Sequence, residues 1–133
     1  MKRFVLGLCF LLAAPLSAST QEKITVTTLL KTTATAAGQS IVFPAGNTEV
    51  MALIVDLPGG ADTGWHEHPF PRYAYVMSGA VTVESDRGVR QTYRTGSFFV
   101  EQTGIFHHGT TTVPTRLLVI DQAEAGKGNQ INR

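Results

Sequence analysis

The chain has 133 residues, with eleven Lys and Arg against ten Asp and Glu and a formal net charge of +1. Such a balance leaves no electrostatic footprint for nucleic acid or for an anionic membrane surface, and a single cysteine excludes an intrachain disulfide framework. The length suits one domain.

The first eighteen residues stand apart. Lys2 and Arg3 lead into an apolar stretch from Phe4 to Ala14, and small residues follow. Charged start, apolar middle and small residues at the cut are the layout of a secretory signal, with cleavage expected near Ala18. The apolar stretch is too short to span a bilayer, which takes roughly 20 residues. Removing residues 1–18 takes away Lys2, Arg3 and Cys9, so nine of the eleven basic residues remain against ten acidic ones. The expectation is an exported protein, periplasmic or secreted, with no membrane contact after cleavage. Its mature domain, over 19–133, is cysteine-free and must be held by its core or by a metal.

The mature part reads as short strands. "KITVTTLLKTT" (23–33) is rich in β-branched residues and alternates loosely, and "QSIVF" (39–43) runs into the turn signal "PAGN". "EVMALIVDL" (49–57) is a strong strand stopped by "PGGADTG". "RYAYVMSGAVTVES" (72–85) predicts two strands bent at Ser78-Gly79, and "DRG" turns the chain into "VRQTYR". Three more follow in "TGSFFVEQTG", "IFHHGTTT" and "TRLLVIDQ". The tail "AEAGKGNQINR" is polar and is expected to be mobile. No long amphipathic helix interrupts the series, which predicts an all-β, antiparallel sandwich or barrel of one domain.

Four histidines carry the chemistry. His66 and His68 are two apart, so on a strand both imidazoles face one side. Imidazole ligates Zn, Fe, Cu and Ni, but two ligands alone bind weakly. His107 and His108 are the remaining pair, and as strand neighbours only one of them can share that side. The most the sequence offers is a three-histidine set completed by water, a carboxylate or a phenol. In isolation a His-x-His pair means little. Trp65, Phe70, Phe98, Phe99 and Phe106 read first as core, and Arg72, Arg87, Arg90 and Arg94 as a solvated face.

Spacing shifts that balance. Gly60, five residues, His66-x-His68 and then Gly79 form one block; Gly96, seven residues, Gly104, two residues and His107 form a second. Together they resemble the paired motifs of the cupin family, G-x5-H-x-H-x3,4-E-x6-G and G-x5-P-x-G-x2-H-x3-N. The resemblance covers about 49–122 and implies a single-domain jelly-roll barrel, also called a double-stranded β-helix. It implies that His66, His68 and His107 converge on one divalent transition metal (iron, manganese, nickel or zinc), with His108 pointing away. The chain departs from the pattern where the motif glutamate belongs: that position falls on Arg72 or, with the longer gap, on Tyr73. Gln102 and Thr111 replace the motif proline and asparagine. Glu67 alternates away from both histidines and is no substitute. Arg72 beside a cation is repelled, so it is expected to turn to the barrel mouth or to hold an anionic ligand. Tyr73 is expected to reach inward as a hydrogen-bond donor or weak fourth ligand. Arg72 and Tyr73, with Tyr75, are the candidates for substrate contact.

Two functions fit these residues. One is a metal-dependent enzyme, an oxygenase or isomerase acting on a small organic substrate. The other is a non-catalytic periplasmic protein that binds a metal or a small ligand. A homodimer, joined through "ITVTTLLKTT" as an edge strand, is a further expectation.

Overall fold

The computed structural model describes residues 22–133, which form nine strands and, among the described residues, no helix. The expected signal segment, 1–18, lies outside the described residues. In chain order the strands are β1 (Thr48–Leu57), β2 (His66–Glu67), β3 (Arg72–Ser78), β4 (Ala80–Ser85), β5 (Arg90–Arg94), β6 (Phe98–Val100), β7 (His107–Thr110), β8 (Thr115–Glu124) and β9 (Ile131–Asn132). They build two antiparallel sheets, ordered β1-β8-β3-β6 and β5-β4-β7-β2-β9. Sequence neighbours such as β3 and β4 fall in different sheets, as in a jelly roll.

Alternation explains how the two sheets meet. Along β3, Ala74 and Val76 are fully buried while Tyr73 and Tyr75 lie on the opposite face. Along β8, Thr115, Leu117, Val119, Asp121 and Ala123 form one buried row. These inner rows close on Val81, Tyr93 and Phe99, with Leu53, Val55, Leu57 and Val83 packed around them. Tyr93 stacks on Phe99 with ring centroids 3.7 Å apart. The bend between β3 and β4 requires glycine: Gly79 has φ +82°, and a Cβ there would lie 2.4 Å from the Pro114 carbonyl oxygen.

Both chain ends depart from the expectation. Residues 23–33 form no strand, and Ile24 and Val26 are 89% and 86% exposed. Their alternation finds no neighbouring strand within the chain. Only the following residues dock: Ala36 N–H donates to the Val100 carbonyl at 2.8 Å, and the Gln39 side chain bonds both polar groups of the Thr103 backbone. The polar tail, expected to be mobile, instead returns to the barrel. β9 pairs with β2, Arg133 N–H donates to the Trp65 carbonyl at 3.0 Å, and Asn129 is only 5% exposed.

Candidate metal centre

His66 and His107 are direct partners across the antiparallel β2–β7 pair, so their side chains rise together on the barrel's inner face. His68 joins from just beyond β2, where it bridges to Thr103. The three imidazoles are mutually adjacent, with centroids 4.7–5.0 Å apart, and all are buried. His108 alternates outward as expected; it stacks on Trp65 at 4.4 Å and meets the Asp62 carboxylate at 3.0 Å.

A fourth group completes the cluster. Glu101, immediately after β6, places Oε2 2.9 Å from His68 Nε2 and 3.0 Å from His107 Nε2. One ligating atom from each of His66, His68, Glu101 and His107 lies within 4.8 Å of the others. Sequence reasoning passed over Glu101 because it belongs to the second block, whereas the family pattern places its carboxylate in the first. The register shows why the exchange works. β3 pairs with β6 through Tyr73 opposite Val100, and Glu101 N–H donates to the Arg72 carbonyl at 2.8 Å. The carboxylate therefore arises on the strand next to the position that Arg72 occupies. The available signal was that Glu101 is the only carboxylate between Gly96 and His107.

Arg72 keeps to the inner face but is committed to a different partner. Its Nε and Nη2 donate to the two carboxylate oxygens of buried Asp121 at 2.7 and 3.0 Å. Arg72 is the cross-strand partner of Asp121, so the fork and the carboxylate meet without a detour. The repulsion anticipated between Arg72 and a cation is met by this pairing rather than by a turn to the barrel mouth. Tyr73 does not reach inward. One residue from Arg72, it alternates to the outer face, where its hydroxyl donates to Gln122 Oε1 at 3.0 Å. Tyr75 shares that outer face.

Hydrogen bonding fixes the protonation pattern. His66 Nδ1 lies 2.8 Å from the Gly64 carbonyl, His107 Nδ1 2.9 Å from that of Ile105, and His68 Nδ1 2.5 Å from that of Asn129. A carbonyl only accepts, so each Nδ1 carries a proton and each ring turns its Nε2 toward the cluster. His107 Nε2, 3.0 Å from a carboxylate that likewise only accepts, carries a second proton when it makes that bond in the metal-free chain. His68 Nε2 is buried and makes no hydrogen bond, although the carboxylate oxygen stands beside it. Burial alone would raise the Glu101 carboxyl; contacts with His107 and His68 outweigh it and hold the group well below the ordinary carboxylate range. Burial likewise works to lower His107, but its bond to Glu101 prevails and raises it. His66 has no such carboxylate bond, and burial brings it down to about 4.

A cavity of about 70 Å³ opens beside the cluster. His66, Glu101, His107, Arg72 and Thr63 form its polar wall. Its other wall is aliphatic and aromatic, including Val55, Leu57, Val81, Phe99, Leu117 and Val119. With a water needing roughly 10–15 Å³ of such space, it takes on the order of five waters, or a compact small molecule.

The two sheets, the glycine turns and the histidine cluster define a small barrel protein of the cupin class. The family model for the cupin domain matches residues 53–121, just over half of the chain, and the chain belongs to that family. Solved structures agree on the fold. An RmlC-like cupin from Shewanella frigidimarina superposes with a TM-score of 0.52 at 23% identity, over 59% of this chain and 69% of that one. The DMSP lyase DddQ from Ruegeria pomeroyi gives 0.54 at 18% identity, over 62% and 42%. Oxalate decarboxylase from Bacillus subtilis gives 0.54 at 16% identity, over 62% of this chain and 23% of that one. The match thus spans less than half of either enzyme, and at these identities the likeness is one of fold. No curated protein matches the chain by sequence.

Proposed function

We propose that this protein binds a divalent transition metal through His66, His68, Glu101 and His107 and presents it to a small organic molecule in the adjoining cavity. One observation carries the reading: three imidazole Nε2 atoms and a carboxylate are gathered in a buried space in which His68 Nε2 finds no hydrogen-bond partner. A cation relieves that arrangement. Nitrogen and carboxylate donors in this ratio suit iron, manganese, nickel or zinc. With three neutral imidazoles and one carboxylate, a divalent ion keeps one net positive charge, and Asp121 neutralises Arg72 nearby.

When bound, such a metal supplies Lewis-acid or substrate- and dioxygen-coordinating chemistry, the basis of an oxygenase or isomerase. The chain's own residues supply the rest. The aliphatic wall suits an apolar part of a small molecule, Thr63 and Arg72 offer polar contacts in the cavity lining, and Glu101 and His107 can hold one shared proton in the metal-free state. A second reading, non-catalytic binding of a metal or small ligand, is favoured by the same wall: outside the cluster, Arg72 and Thr63 are its polar side chains, and neither is a general base. The fold does not choose, because cupin barrels host unrelated chemistries.

Metal analysis of untagged protein is expected to find about one transition metal per chain, and failure to load after reconstitution would end the metal reading. Oxygen uptake by the iron-loaded protein across phenol, thiol and diketone substrates separates enzyme from binding protein; a silent screen favours the latter. We further propose export, carried by the pattern of residues 1–18. Mass spectrometry of the mature N-terminus tests it, and a retained Met1 in the secreted or periplasmic fraction would refute cleavage.

A further inference from the structure

The three histidines are oriented by carbonyls of different origin. His66 and His107 each use a carbonyl two residues upstream, Gly64 and Ile105, so each strand orients its own ring. His68 uses the Asn129 carbonyl, 61 residues away, in the tail that follows β8. Asn129 is held where it must be. Its Nδ2 donates to Asp121 Oδ1 at 2.8 Å, and its Oδ1 accepts from Phe70 N–H at 2.9 Å. Asp121 is the same carboxylate that clamps Arg72, so one buried network ties the tail, the cavity wall and the third histidine together. Beyond Asn129 the tail is fastened by β9 on β2, by the Arg133–Trp65 backbone bond and by the Arg133 guanidinium lying 4.7 Å over the Phe106 ring.

We propose that the C-terminal tail is a clasp for the metal centre, with Asn129 as a positioning residue that sets the tautomer and direction of His68. The role rests on the proposed metal site, but the orientation of His68 is a property of the metal-free chain as well. Outer partners of ligating histidines usually contribute 10- to 100-fold to metal affinity. Here that contribution comes from a segment whose polar, glycine-containing sequence marks it as dispensable.

The test uses the full chain, Asn129→Ala, a chain ending at Glu124, and Val76→Ala as a core variant outside the histidine cluster and the cavity lining. Zinc affinity is measured by competition with a chromophoric chelator, and ring tautomers are read by nitrogen NMR of the metal-free proteins. The expected result is a roughly tenfold loss of affinity for Asn129→Ala and up to about 100-fold for the truncated chain. His68 should lose its Nδ1–H signature in the truncated chain, which lacks the Asn129 carbonyl, and show it weakened in Asn129→Ala, which keeps that carbonyl but loses its anchor. His66 and His107 should keep theirs, and Val76→Ala should alter neither reading. Unchanged affinity and tautomer in both tail variants would overturn the clasp, as would an equal loss in Val76→Ala. If the truncated chain fails to fold, Asn129→Ala decides. If the full chain binds no zinc, the metal reading fails, and the clasp stands or falls on the His68 ring alone.

Discussion

The two ends of the described chain reverse what their compositions suggest. Residues 23–33 carry Ile, Val, Leu and Thr in loose alternation, yet they lie exposed and form no strand. The last nine residues are mostly small or polar, yet they contribute a strand, a buried asparagine and the partner of a candidate metal ligand. β-Propensity measures how well a residue fits a pleated, half-buried surface, and it acts only where a neighbouring strand is available. The tail has that neighbour in β2, and its buried side chain has each hydrogen bond it needs.

The contrast can be broken in several places. The yardstick is the cluster itself: Glu101→Gln and His107→Ala should each reduce zinc affinity beyond the roughly 100-fold range of supporting partners. Titration against a chelator checks this, and near-normal binding by His107→Ala would detach the second block from the site. Next comes the anchor under the tail. Asp121→Ala leaves the Arg72 guanidinium without its carboxylate and frees Asn129, so a loss of about 3 kcal/mol is expected in urea unfolding. A change below about 1 kcal/mol would show that the network matters little to stability.

Acid should act through His66. Its folded pKa is about 4 against 6.5 for the ordinary group, so below pH 6.5 the unfolded chain takes up a proton that the folded chain refuses. Stability of the metal-free protein should fall from pH 6.5 toward 4, by at most about 3 kcal/mol. His107, with its raised pKa, contributes stability that is fully present below its unfolded value and is lost on the alkaline side. Glu101, with its lowered pKa, contributes stability that is lost only as pH falls below 4.5. The acid slope should shrink in a folded chain ending at Glu124, because burial is what lowers His66 and its cross-strand neighbour Asn132 lies on β9. An undiminished slope there would show that β9 adds nothing to the burial of His66. The smallest effect belongs to the other end: deleting residues 22–31 should leave zinc affinity unchanged and alter stability by about 0.5 kcal/mol or less.

Much of the site was legible in the chain. His-x-His on a strand must present two rings to one side, and alternation separates His107 from His108 before any coordinates are known. The strand series and the glycine turns, Gly79 above all, likewise follow from local pattern, because the bend there takes a positive φ of 82° that favours glycine. What stayed hidden depends on register between distant strands. No local rule brings Glu101 beside the position held by Arg72; that follows from β6 lying against β3. Arg72 finds Asp121 only because β8 runs on the other side of β3.

The sequence by itself determined the all-β class, the shared side of His66 and His68, and that only one of His107 and His108 can join them, since each rests on side-chain periodicity or on turn geometry; the resemblance to the family motif picked His107. Tertiary structure alone decided that a carboxylate from the second block completes the cluster, that Arg72 is neutralised and Tyr73 faces out, and that the C-terminal tail orients His68. Those outcomes depend on which strands become neighbours, and strand neighbours are chosen by burial of the whole inner face rather than by any one segment.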